Sequence, residues 1–211
     1  MALDAKVKFG LKYIAITDHT KSLKLTHGLD EEQILHQANK ISEINDKLKL
    51  NQYYTERSKK NNNNNNNNNN HHSLSSDNFR ILSSAEVNIM KDGSLDVANN
   101  VLDKLDIVGA AIHSSFVQPI EVQTERLIKA AQNPSIDIIF HPTGRRISKR
   151  EGYPVNIPKF INVAKDTDTV LEIDAHYDRL DLKDDYIRMA VENNIKLVID
   201  SDAHHLCILP F

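Results

Sequence analysis

The sequence predicts an α/β fold assembled from parallel βαβ units. Runs of strand character alternate with helical patterns along the chain, the arrangement that parallel crossovers produce. The strands are also nearly continuous in apolar residues, as in Ile136-Asp137-Ile138-Ile139-Phe140-His141 and Lys196-Leu197-Val198-Ile199-Asp200. Such strands are covered on both faces, as parallel strands are. A chain of 211 residues accommodates one domain of this kind, spanning 1–211. Alternation alone admits either a barrel or an open doubly wound sheet.

The first strand is Tyr13-Ile14-Ala15-Ile16-Thr17, rich in β-favouring residues. A helix follows from Leu29 to about Leu50, because Ile34, Ala38, Ile41, Ile44 and Leu48 recur at spacings of three and four. Asp30 with Gln33 forms a capping-box pattern at its start. Beyond an insertion, four further strand–helix pairs follow. They are Phe79–Ile89 with Ser94–Leu105, Asp106–His113 with Thr124–Asn133, Ile136–His141 with Ile157–Asp166, and Val170–Ile173 with Asp184–Asn193. Ser94, Asn156 and Asp184 are placed to cap helices, and Asn133-Pro134 ends one. A last strand, Lys196–Asp200, closes the series.

The insertion, residues 51–78, contains ten consecutive asparagines at 61–70 and the pair His71-His72. Asparagine contributes no apolar area to offset its ordering entropy, so this stretch is expected to be a disordered surface loop. The formal charge of -3 and a pI near 6.4 exclude a global electrostatic footprint for nucleic acid. The single cysteine, Cys207, excludes an intramolecular disulfide and a cysteine zinc cluster, and is expected to serve packing. Lysines interrupt the apolar runs near Met1, so this stretch lacks the continuous apolar region of a secretory signal, and no run reaches the ~20 apolar residues of a membrane helix. These features point to the cytoplasm or nucleus, while oligomeric state leaves no signature.

In parallel α/β folds the carboxyl ends of the strands converge on one face. The first strand ends in Thr17-Asp18-His19, the second carries Glu86, the third ends at His113 and the fourth at His141. The fifth carries Glu172 and Asp174, and the sixth runs into Asp200-Ser201-Asp202-Ala203-His204. A lone strand-end histidine is more often a satisfied polar residue than a ligand. The series His19, Glu86, His113, His141, Asp202 and His204 instead indicates a metal site. Imidazole and carboxylate without thiolate suit zinc, manganese or iron, and a bridging carboxylate suits a cluster.

The segments YIAITDHTKSLKLTHGLDEE, ILSSAEVNIMKDGSLD, LDIVGAAIHSSF, HPTGR and IDSDAHH resemble the PHP (polymerase and histidinol phosphatase) domain. The likeness is greatest to the version at the C-terminal end of bacterial and archaeal X-family DNA polymerases. The resemblance implies a distorted (βα)7 TIM-like barrel with up to three zinc or manganese ions. It further implies hydrolysis of phosphate esters by a metal-activated hydroxide, including 3′-5′ exonuclease or other processing of DNA 3′ ends. On that pattern Glu86 bridges two metals and His113 with His141 completes one site, Asp202 serves the other bridged metal, and His19 with His204 serves the third. Glu86, His113, His141 and Asp202 are the implied catalytic set. The family's opening His-x-His motif and first strand are absent here, so an incomplete, N-terminally truncated barrel with one complete metal site is expected.

The same comparison suggests phosphate-binding cations. Arg145 follows His141-Pro142-Thr143-Gly144, Lys21 lies just past His19, and Arg179 with His176 follows the fifth strand. Asp18 is expected to orient a histidine from behind. His27 and His36 are expected at the surface. Besides a phosphoesterase, two readings stay open: a degenerate, non-catalytic remnant or binding module, and a metal-dependent amidohydrolase. The Glu86, HPTGR and DAH contexts favour the phosphoesterase over the amidohydrolase.

Overall fold

Each strand of the protein pairs in parallel with its neighbour in sequence. The computed structural model describes residues 2–63 and 79–204. Strands β1 (Tyr13–His19), β2 (Arg80–Asn88), β3 (Ile107–Ala111), β4 (Ile138–Ile139), β5 (Val170–Asp174) and β6 (Leu197–Asp200) form one six-stranded sheet in the order β1 to β6. The sheet curls into a half-barrel of the TIM-like kind. This decides between the two architectures that alternation left open, because a doubly wound sheet would reverse its strand order.

Helices α1 (Ala2–Phe9), α2 (Glu31–Asn63), α3 (Asn99–Leu102), α4 (Ile120–Ala131), α5 (Ile157–Asp166) and α6 (Asp184–Glu192) are the α-helices of the described residues, with a 3-10 turn at Lys24–Thr26. The main core joins Ala85, Val87 and Ile89 of the β2 region with Leu127 of α4, Phe160 and Ile161 of α5, and Leu171 of β5. Phe160 is fully buried, and burying a side chain of that size contributes about 2 kcal/mol. A second cluster, Ile138, Phe140 and Ala111, packs with Val170 and Val198. Ile139 joins the first cluster while its neighbours Ile138 and Phe140 join the second, so the sheet is apolar on both faces. Phe140 lies so close to Gly109 that a Cβ there would sit 1.8 Å from its ring, which only glycine permits.

The helix starts follow the sequence in part. Gln33 N donates to Asp30 Oδ1 (2.9 Å) and Asp30 N donates to Gln33 Oε1 (3.0 Å), the reciprocal capping box. Asn156 caps α5 by accepting from Lys159 N at 3.1 Å. Lys183, rather than Asp184, occupies the N-cap of α6, and Asp184 sits in its first turn. The helix expected over Ser94–Leu105 shrinks to α3, because Leu95 bridges back to Ile89 and the Asp96 carboxylate is tied to Thr20, just after β1, and to Asn88 of β2. Conversely, α2 continues past Leu50 to Asn63. Gln, Glu, Arg and Lys in 51–60 favour helix without an apolar stripe, which is why periodicity alone ended it early. The rest of the Asn-rich stretch, including His71 and His72, lies outside the described residues, as does Cys207.

Candidate metal centre

Strand register brings the first two ligand candidates together. His19 is the partner of Glu86 in the β1–β2 ladder, at the carboxyl end of both strands. His113 and His141 lie two residues beyond β3 and β4, so their side chains reach the same rim. Glu86 is buried and presents Oε1 at 2.9 Å to His113 Nε2 and at 2.9 Å to His141 Nε2. Its other oxygen, Oε2, lies 2.9 Å from His19 Nδ1, without alignment as a hydrogen bond. Three imidazoles thus converge on one carboxylate from three strands. The His19 and His113 rings meet edge to face at 5.0 Å, and those of His113 and His141 at 5.3 Å.

Burial alone would push the Glu86 carboxyl up, but the close imidazoles of His113, His141 and His19 hold it well below its ordinary range. Burial lowers His113, with Glu86 opposing. For His19 and His141 burial also lowers, yet Glu86 outweighs it and both are raised. The donor set fits a divalent metal: His19, Glu86 and His113 offer ligand atoms within 4.8 Å of one another. His141 turns its Nε2 to Glu86, while its Nδ1 is buried without a hydrogen-bond partner. His141 and Asp202 also adopt positive φ, 28° and 43°, the kind of strain that accumulates at functional positions.

Asp202 and His204 stand beside this group. His204 Nε2 lies 3.2 Å from Asp202 Oδ1, and its ring stacks on His19 at 5.9 Å while remaining well exposed. Asp202 also faces Arg179, whose NH2 lies 3.5 Å from Oδ2 and whose Nε lies 3.0 Å from Asp174. Burial raises the Asp174 carboxyl to about 6. Behind His141, Glu172 accepts the His141 backbone N–H, and burial, then the neighbouring Asp200, raise its carboxyl well above the usual range.

The remaining candidates have partners of their own. Lys21 pairs with Glu31 at 2.5 Å on the surface. Arg145 donates to the Leu180 carbonyl, leaving its Nε buried and unpaired. Its turn is held by Asp181, which accepts from the backbone N–H groups of Thr143 and Arg145 and from the Thr143 hydroxyl. Gly144 takes φ of 61° in that turn. Asp18 receives a hydrogen bond from Gln37 of α2 and is exposed, so it faces away from the histidines it was expected to orient. His176 bonds Asp178 at 2.9 Å, and His27 and His36 are exposed.

Three residues around the centre were not singled out from sequence. Asn88 contacts His113 Nδ1 at 2.7 Å, and Asp96 holds Asn88. Asn88 was legible in principle, since it lies two residues from Glu86 on a strand and shares its face. Asp96 and Arg126 carry no such signal. Arg126 is 1% exposed, and its guanidinium donates to the carbonyls of Ile89, Met90, Ser114 and Ser115 and to Gln123 Oε1, joining the loops after β2 and β3.

The chain is similar in sequence to proteins of two kinds. The chain is 39% identical to the DNA polymerase/3′-5′ exonuclease PolX of Bacillus subtilis over 206 residues, covering 98% of this chain and 31% of that protein. It is 36% identical over 138 residues to a probable phosphatase of Thermoanaerobacter sp. (strain X514), covering 61% of this chain and 54% of the relative. A probable phosphatase of Acetivibrio thermocellus is 29% identical over 133 residues, 59% of this chain and 53% of its own length. The chain thus spans about a third of PolX and about half of these phosphatases. No family model matches the chain. The match to PolX over nearly the whole of this chain, together with the probable phosphatases, is consistent with a PHP-type domain.

Proposed function

We propose that the protein is a metal-dependent phosphoesterase that hydrolyses phosphate esters, with phosphodiesters at DNA 3′ ends among its substrates. The observation that carries this reading is the buried Glu86 carboxylate with three imidazole nitrogens 2.9 Å from its oxygens. The 3′-5′ exonuclease activity named for PolX and the probable phosphatase activity of the other relatives support the substrate class. His19, Glu86, His113 and His141 would hold the metal, with Asp202 and His204 beside them. A divalent zinc or manganese ion bound there supplies Lewis acidity toward phosphate oxygens and water. Glu86 offers both carboxylate oxygens, one to each side of the centre. Arg179 is the cation that would meet a substrate phosphate, since its planar fork suits two oxygens and it borders Asp202, once it leaves its own partners Asp174 and Asp202. Arg145 and Lys21 would assist only after leaving Leu180 and Glu31.

The test is hydrolysis of a generic phosphodiester and of a single-stranded DNA 3′ end by metal-stripped protein resupplied with manganese or zinc. Glu86→Gln and His141→Ala should each lower turnover by more than the roughly 100-fold that loss of an outer partner of a ligand costs. Turnover that persists in chelator, or in both variants, would sink the reading.

One observation favours a second reading, a metal-binding module without turnover. Arg179 already neutralises Asp202 and Asp174, so an internal cation stands where a further metal would need those carboxylates. Stoichiometric metal binding with no hydrolysis of either substrate would select it.

A further inference from the structure

We infer that Asn88, held by Asp96, is a positioning residue that sets the tautomer of His113 and thereby aims its Nε2 lone pair into the Glu86 centre. The inference rests on the metal-centre reading. Asn88 Nδ2 lies 2.8 Å from Asp96 Oδ2, 2.9 Å from Thr20 Oγ1 and 3.2 Å from the Thr20 carbonyl oxygen. A carboxylate and a carbonyl can only accept, so the amide nitrogen of Asn88 must face them. Its Oδ1 is then left facing His113 Nδ1 at 2.7 Å. An amide oxygen also only accepts, so Nδ1 must carry the proton.

A neutral His113 ring consequently has its lone pair on Nε2, 2.9 Å from Glu86 Oε1. Two acceptors facing one another at that distance repel, and a cation between them converts both into ligands. Thr20 at 0% and Asn88 at 4% exposure are closed to water, so the Asn88 amide has no solvent partner to take in place of the ring. Asp96 is fixed in turn by the Thr20 hydroxyl (2.7 Å), Asn88 N (3.1 Å) and Ser22 N (2.9 Å). Burial favours its neutral form, but these bonds from Thr20, Asn88 and Ser22 keep it below its ordinary range and hence ionised. The same pair therefore also fixes the backbone immediately after His19. The role expected for Asp18 is filled from the opposite side of the centre, by an amide on β2.

Long-range proton–nitrogen NMR of histidine-labelled, metal-free protein at pH 8 reads the tautomer directly. Wild-type His113, assigned through its loss in His113→Gln, should show protonated Nδ1. Asn88→Ala should lose that signature and weaken zinc or manganese binding in calorimetry by roughly 10- to 100-fold. Protonated Nε2 in wild type, or a folded Asn88→Ala that keeps either the protonated Nδ1 signature or unchanged affinity, would overturn the inference. If wild type shows protonated Nδ1 but binds no metal, the metal-centre reading fails while the tautomer assignment stands.

Discussion

At the residue scale, the centre depends on side chains that never touch it. Arg126 is the clearest, a buried guanidinium whose partners are four backbone carbonyls and the Gln123 amide oxygen. The loops it joins lead out of β2 and β3, directly after Asn88 and His113. Arg126→Met keeps the length of the side chain but strands those acceptors away from water. Each buried unsatisfied group costs about 1–3 kcal/mol, so a loss of at least about 3 kcal/mol is expected in urea denaturation. A loss below about 1 kcal/mol would show that the loops hold without it. Nothing in the sequence marked Arg126 for this, since an arginine on a helix reads as surface until its neighbours are known. The ligand types were legible because each stands at or just beyond a strand end. Their sharing of a single carboxylate was not.

At the element scale, β5 and β6 carry the carboxylates behind the centre, with Asp174 opposite Asp200 in register. Burial and the Asp200 charge raise the Glu172 carboxyl above its unfolded value. Its contribution to stability is therefore present at acid pH and lost as pH rises through the raised value. Glu172→Gln cannot ionise, yet its amide oxygen can still accept from His141 N and its NH2 can donate to Asp200. In the metal-free protein the variant should melt higher than wild type at pH 8 and close to it at pH 4.5. A lower melting temperature at pH 8 would refute this account of the pair. Elements with strong local signals were read well. The α2 capping box, the Asn156 cap and the strand runs depend on a few adjacent residues. The segment 94–98 was misread as helix because Asp96 is claimed by Thr20, Ser22 and Asn88, contacts invisible to periodicity.

At the scale of the whole molecule, a metal bound only to the folded chain must stabilise it, by about 2.7 kcal/mol at a hundredfold excess over Kd. Manganese or zinc should raise the melting temperature of wild type, chelator should reverse the rise, and Glu86→Gln should abolish most of it. Protons compete for the same imidazoles, and the Glu86 carboxylate raises His19 and His141 against the effect of burial. The metal-dependent rise should therefore shrink as pH falls from 8 to 6. A rise that grows on acidification would place the metal elsewhere. The sequence by itself determined the parallel α/β class, the strand order in the chain and the residue types at the strand ends. These follow from hydrophobic periodicity and from parallel strands presenting their carboxyl ends together. Only the tertiary structure decided that the sheet curls, that Glu86 is shared by His19, His113 and His141, and that Asn88 rather than Asp18 stands behind one of these histidines. Those outcomes depend on register and on which face each side chain takes, and both are set by packing between segments far apart in the chain.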